Sequence, residues 1–239
     1  MNNSLLPIIG LTFLAQVATF VLGLTNNILL SRWLGPEMLG ILATILVVVE
    51  AVNRFTNPGM DISALYFLSN QQYPRPRTIG NLLVNGILIS IIGGLCIFLL
   101  VSTEFLMSLF RTRELGRAFT EHWLIILVLF TFMTYEFGSK ISLGLQLFNR
   151  YNRLVILRPA LLLVFLAALF VAERITLSTI LGAFALSWLV PGAVHWIQAS
   201  PFSPTWDRTV TLSSLRYGLK VMLANALTFL NYRADIFLV

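Results

Sequence analysis

The sequence predicts an all-α integral membrane protein, a polytopic helical bundle with six full transmembrane helices plus most of a seventh. Composition is the first observation behind this. Of 239 residues, 57% are hydrophobic and only 11% are charged, whereas soluble domains run at roughly 45–50% apolar and about 25% charged. So few charges cannot coat a globular surface of this size, and the apolar excess must face something other than water. The second observation is pattern. The apolar residues form continuous runs of helical length, which excludes the short, alternating spans of a β-barrel. The third is where the charges fall, because they gather between the runs.

A spanning helix needs roughly 20 mostly apolar residues. The runs are expected at about 5–34, 38–69, 79–101, 120–148, 154–172 and 177–199, with a last one from about 214 to 239. No basic cluster or evident cleavage site accompanies the first run, so it reads as a retained helix and not a signal peptide. Between the first two runs, Gly35 closes one helix while Pro36 and Glu37 open the next, an acid suiting the positive helix N-terminus. Asn57-Pro58-Gly59 should kink or unwind the second run, and Pro191-Gly192 is a break signal in the sixth. Cys96, the lone cysteine, lies in an apolar run and reads as a small buried residue.

Orientation follows from the connections. With a cytoplasmic N-terminus, the inner connections hold Arg75, Arg77, Arg150, Arg153, Arg158, Arg208, Arg216 and Lys220 against Asp207 alone. The outer ones hold Arg32, Arg111, Arg113, Arg117 and Arg174, balanced by Glu37, Glu104, Glu114, Glu121 and Glu173. Eight basic residues inside against five outside is the direction of the positive-inside rule, and Trp33, Trp123, Tyr151 and Trp206 fall at helix ends as interface anchors. The net charge of +6 is thereby explained without a nucleic-acid partner.

Seven ionisable residues remain within the spans: Glu50, Arg54, Asp61, Glu136, Lys140, Arg233 and Asp235. Each costs a few kcal/mol if it faces lipid, so such residues turn to a cavity or a partner helix. Glu50 and Arg54 are four apart with the acid first, as are Glu136 and Lys140, the favourable order for an intrahelical pair. Glu136 and Lys140 read as a structural ion pair. Glu50 and Arg54 read as readily as a site, since the Pro58-Gly59 break lies just below them and broken helices line binding sites in transporters. Arg54 and Glu136 fall at similar depth, which leaves an inter-helix pair open as well. Asp61 lies near the inner face, and His195 reads as interfacial. Asn26 and Asn27, deep in the first span, either glue helices or line a polar path; Gln16, Asn225 and Asn231 repeat that argument more weakly. No Ser-His-Asp arrangement, HExxH, Cys/His cluster, P-loop or GxGxxG is present, so no catalytic residue, metal or cofactor is expected.

The segment from Ile28 to Ala43, with Leu34-Gly35-Pro36-Glu37, two further residues and Gly40, resembles the junction of the first two helices in polysaccharide exporters and O-antigen flippases of the multidrug/oligosaccharidyl-lipid/polysaccharide superfamily. The stretch Asn231-Tyr232-Arg233-Ala234-Asp235-Ile236-Phe237-Leu238-Val239 resembles their seventh helix, where an Arg-x-Asp pair precedes an apolar triplet. Laying Ile236-Phe237-Leu238 on Ile28-Leu29-Leu30 puts Asp235 on Asn27 and Arg233 on Thr25. The resemblance implies an N-terminal lobe of a two-lobe flippase fold over residues 1–210, followed at 211–239 by the first helix of a second lobe. It also implies a bacterial or archaeal cytoplasmic membrane, alternating access, and a polyprenyl-pyrophosphate-linked oligosaccharide as substrate in surface polysaccharide biosynthesis. Besides membrane lipids, the partners it implies are the glycosyltransferases and polymerase of such a pathway. In that reading Arg54 and Arg233 contact the pyrophosphate, Asn26, Asn27 and Gln16 bond sugar hydroxyls, and Glu50, Asp61 and Asp235 are candidates for ion coupling. One lobe is expected not to export by itself. The rival expectations are a multidrug or cation exporter of the same superfamily and a non-transporting scaffold or enzyme subunit.

Overall fold

A computed structural model describes residues 5–102, 122–199, 201–202 and 204–238. Arg111, Arg113, Arg117, Glu104, Glu114 and Glu121 lie outside the described residues, as do the side chains of Asn225, Asn231, Arg233 and Asp235. The described residues form α1 (Leu5–Thr56), α2 (Met60–Ser69), α3 (Arg75–Ser102), α4 (His122–Gly144), α5 (Phe148–Val171), α6 (Leu177–Ala199) and α7 (Arg208–Leu238), with no strand among them.

Two breaks shape the N-terminal third. Within α1, Gly35 has φ 72° and ψ 171°, a backbone state that a residue without Cβ adopts freely. Pro36 follows, at a helix start where its missing N–H is not needed. Gly35 therefore divides α1 into two limbs, about 45 Å and about 32 Å long at 1.5 Å per residue. The second break separates α1 from α2. Gly59 takes φ 72°, the side-chain Oδ1 of Asn57 accepts from the Met60 N–H at 3.1 Å, and its Nδ2 donates to Asp61 Oδ1 at 2.9 Å.

Side-chain pairings give the direction of each helix. The first limb of α1 runs parallel to α5, because Thr12 meets Asn152, Asn26 meets Pro159, and Trp33 stacks on Phe170. α4 runs parallel to α6, with Phe132 against Trp188 and Gly138 against His195. α3 is antiparallel to α4, with Gly94 beside Ile126 and Gly86 beside Phe137. α7 is antiparallel to α2, with Gly218 on Gly59, Tyr217 on Tyr66 and Ser213 bonded to Tyr73. The chain thus passes back and forth. The connectors at 70–74, 145–147 and 204–207 share one end of the bundle, while Gly35 and the turn at 172–176 share the other. Arg75, Arg77, Arg150, Arg153 and Arg208 gather at the first of these ends.

α4 is the central helix and touches α1, α2, α3, α5 and α6. Its Ile125, Val128, Met133 and Ile141 are completely buried. Its closest neighbour is α6, where a Cβ on Gly138 would lie 2.7 Å from that of His195 and one on Gly192 would lie 3.0 Å from the Tyr135 amide nitrogen. Small residues of this kind let helix backbones approach in a membrane. The same packing explains why α6 runs unbroken through Pro191-Gly192, where the sequence signals a break. It also corrects the interfacial placement of His195, whose ring is fully buried with Nδ1 2.6 Å from Ser142 Oγ.

The perimeter is apolar. Phe20, Ile91, Val164 and Ile197 are each at least 60% exposed on four different helices. Among the described residues, five helices are long and apolar enough to cross a membrane, the bent α1 counting as one of them. A greasy outer shell around a well-packed interior is the pattern of a membrane-embedded helical bundle.

Candidate functional site

A cleft of about 140 Å³ lies between the first limb of α1, the middle of α5 and α6. Asn26, Asn27, Arg158, Ser187 and Trp188 give it polar character, and Leu162 and Phe184 complete its walls. Asn26 is buried and donates its amide to the Pro159 carbonyl at 2.9 Å, so its position is fixed. Its carbonyl oxygen has no protein partner, and neither has the buried indole N–H of Trp188. A buried acceptor and a buried donor in one small cleft are costly unless a ligand or water satisfies them. Pro191 adds to this, since it cannot donate to the Ser187 carbonyl one turn earlier.

Arg158 supplies the charge. Its guanidinium carbon stands 5.8 Å from the centre of the Tyr135 ring, within cation–π range. An arginine held on an aromatic face keeps its fork of N–H donors available for a phosphate or carboxylate. The cleft is small beside whole drug-sized sites of roughly 300–1,000 Å³, so it suits one polar headgroup and not an entire oligosaccharide.

A row of charges extends from this cleft towards the α1–α2 break. Glu136 on α4 lies within electrostatic range of Lys140, Asp61, Arg54 and Arg158. Arg54 and Glu50 approach to 3.8 Å on α1. Asn53, next to Arg54 on the same helix, is buried with its side-chain carbonyl oxygen unpartnered. Acids and bases from α1, α2, α4 and α5 therefore share one electrostatic neighbourhood inside the bundle.

The candidates read from the sequence separate on this framework. Asn26 and Asn27 line the cleft, Asn27 on its exposed side. Gln16 lies ten residues earlier on α1, is exposed, and is not part of the lining. Glu50, Arg54, Asp61, Glu136 and Lys140 belong to the charged row. Asp61 is buried and held by Asn57, and it is not a solvated helix end. Arg233 and Asp235 have side chains outside the described residues.

Arg158 corrects the sequence reading, which counted it among the residues of an inner connection. α5 begins at Phe148, so Arg158 lies almost three turns inside the helix. The Arg-Pro pair imitates a helix start, which is why it passes for a loop. Its position inside the apolar run at 154–172 is the signal that the sequence offers. No protein-family model, curated protein or solved structure matches the chain.

Proposed function

We propose that this chain serves in a flippase, a non-enzymatic transporter that moves a polyprenyl-pyrophosphate-linked oligosaccharide across the cytoplasmic membrane by alternating access. The observation that carries the reading is the cleft of Arg158, Asn26 and Trp188. It combines a cation, an unpartnered acceptor and an unpartnered donor within an otherwise apolar bundle. A pyrophosphate next to a sugar offers two anionic groups for the guanidinium, and hydroxyls that both donate and accept. The unwound segment at Asn57–Gly59 and the charges of Glu50, Arg54, Asp61 and Glu136 support a moving element beside the cleft, as broken helices do in transporters. In this reading Arg158 joins Arg54 as a headgroup cation, Asn26 and Asn27 take sugar hydroxyls, and Glu50 and Asp61 remain candidates for ion coupling.

Binding tests it directly. The purified chain in lipid nanodiscs should bind geranylgeranyl pyrophosphate, and Arg158→Ala should weaken that binding about tenfold or more, as expected for loss of a hydrogen bond to a charged group. Unchanged affinity in Arg158→Ala, at equal thermal stability, removes the cleft from the reading. Binding of a lipophilic cation in preference to the pyrophosphate favours the multidrug-exporter alternative.

A further inference from the structure

A second cavity, about 390 Å³, lies along the same α1–α5 seam; its α1 wall, from Leu11 to Ala18, precedes Asn26 by about 12–22 Å at 1.5 Å per residue. Its walls divide by chemistry. Leu11, Leu14, Ala15 and Ala18 of α1 and Ile156 of α5 make an apolar groove, while Asn149, Asn152 and Arg153 close one end. The two alanines are small where larger residues would fill the seam. The polar end is also the end of the bundle at which Arg75, Arg77, Arg150 and Arg208 gather.

Asn152 is the telling residue. It is 3% exposed and donates its amide to Thr12 Oγ at 2.9 Å, which fixes its orientation. Its carbonyl oxygen is buried without a protein partner. A phosphate cannot satisfy an acceptor, so an anion alone does not complete this cavity. Arg153 asks for an anion, Asn152 asks for a hydrogen-bond donor, and the groove beneath asks for a hydrocarbon chain. No carboxylate lines the cavity to neutralise Arg153.

We propose that this cavity is a binding site for an anionic phospholipid whose headgroup carries hydroxyls, of the phosphatidylglycerol type. The phosphate faces Arg153, a headgroup hydroxyl donates to the Asn152 carbonyl oxygen, and one acyl chain lies along Leu14, Ala15, Ala18 and Ile156. Basic pockets between membrane helices near the cytoplasmic surface bind anionic headgroups for the same electrostatic reason. The site is separate from the Arg158 cleft and does not rest on the flippase reading.

Native mass spectrometry of the purified chain, exchanged against defined lipids, tests the proposal. Phosphatidylglycerol should be retained over phosphatidylcholine, and Arg153→Ala should cut that preference about fivefold, corresponding to ~1 kcal/mol for one basic residue near an anionic surface. Asn152→Ala should lose the preference for phosphatidylglycerol over phosphatidylmethanol, a phosphodiester of the same charge without headgroup hydroxyls, while keeping the preference for anions. Because Asn152 also holds Thr12, Ala18→Leu serves as an independent variant: it fills the groove, leaves both polar residues in place, and should abolish retention. Equal retention of phosphatidylglycerol and phosphatidylcholine by the unaltered chain overturns the proposal. So does retention unaffected by both Arg153→Ala and Ala18→Leu, or a dimer of the chain that Ala18→Leu dissociates. Geranylgeranyl pyrophosphate binding, measured on the same variants, should not change.

Discussion

At the scale of residues, two charged groups do unlike work. Arg158 sits in the middle of an apolar helix, where an unpaired cation facing lipid is expensive. The Tyr135 face and the cleft give it somewhere to be. Replacement by lysine should therefore not restore pyrophosphate binding fully, because an ammonium lacks the planar fork that engages two phosphate oxygens together. Titration of Arg158→Lys and Arg158→Ala should rank them unaltered, then Lys, then Ala; Lys equal to the unaltered chain would mean that charge alone matters. Asp207, by contrast, is a structural cap outside the spans. Its Oδ1 accepts from the backbone N–H groups of Thr209 at 2.9 Å and Val210 at 3.1 Å, and its Oδ2 accepts from Arg77. The Val210 amide foremost, with Arg77 beside it, holds the Asp207 carboxyl below the usual carboxylate range. A folded-state value lower than the unfolded one means that the stabilisation is present above about pH 4, and is lost as the pH falls through the folded value. Asp207→Ala should thus melt earlier than the unaltered chain at neutral pH, and the gap should close on acidification in a pH series of thermal melts.

At the scale of elements, the pairing of α4 with α6 depends on the absence of side chains at Gly138 and Gly192. Gly138→Val should force these helices apart and cost ~1–3 kcal/mol, the usual range for overpacking. Gly182→Val, on the same α6 but with nothing within 4 Å of the added Cβ, is the matched control and should cost much less. Thermal unfolding in detergent distinguishes the two, and equal effects would mean that the close approach is not what binds α4 to α6. The elements also show what a sequence can reveal. The breaks at Gly35-Pro36 and Asn57-Pro58-Gly59 rest on local backbone chemistry, a positive φ and a missing N–H, and so they are readable from the residues themselves. Pro191-Gly192 carries the same local signal, yet α6 continues, because the backbone of α4 packs against it. Arg158 and His195 were misplaced for the same reason. Each looks like a residue for a helix end until its tertiary partner, Tyr135 for one and Ser142 for the other, is known. Asn26 and Asn27 were legible because an amide has few reasons to be deep in a span. The unpartnered Trp188 indole was not, since tryptophan is unremarkable in an apolar run.

At the scale of the whole molecule, back-and-forth helices put the basic connectors at one end and Glu173 and Arg174 at the other. The positive-inside rule predicts that the basic end faces the cytoplasm. Single cysteines at Asn70 and Glu173, in a Cys96→Ser background, check this: an impermeant thiol reagent on intact cells should label position 173, and position 70 only after permeabilisation. The reverse pattern would invert the bundle and put the Asn152 cavity in the outer leaflet. The two cavities on the α1–α5 seam are proposed to divide the work, one for a resident lipid and the other for a pyrophosphate headgroup. The most direct test is photocrosslinking with an isoprenoid pyrophosphate that carries a diazirine close to its headgroup. Crosslinks in peptides containing Asn26–Leu30, Arg158–Leu162 and Phe184–Trp188, competed away by inorganic pyrophosphate and lost in Arg158→Ala, are the result expected. Crosslinks confined to the lipid-facing surface of α3 around Ile91 and Leu95, indifferent to competitor and to Arg158, would contradict it.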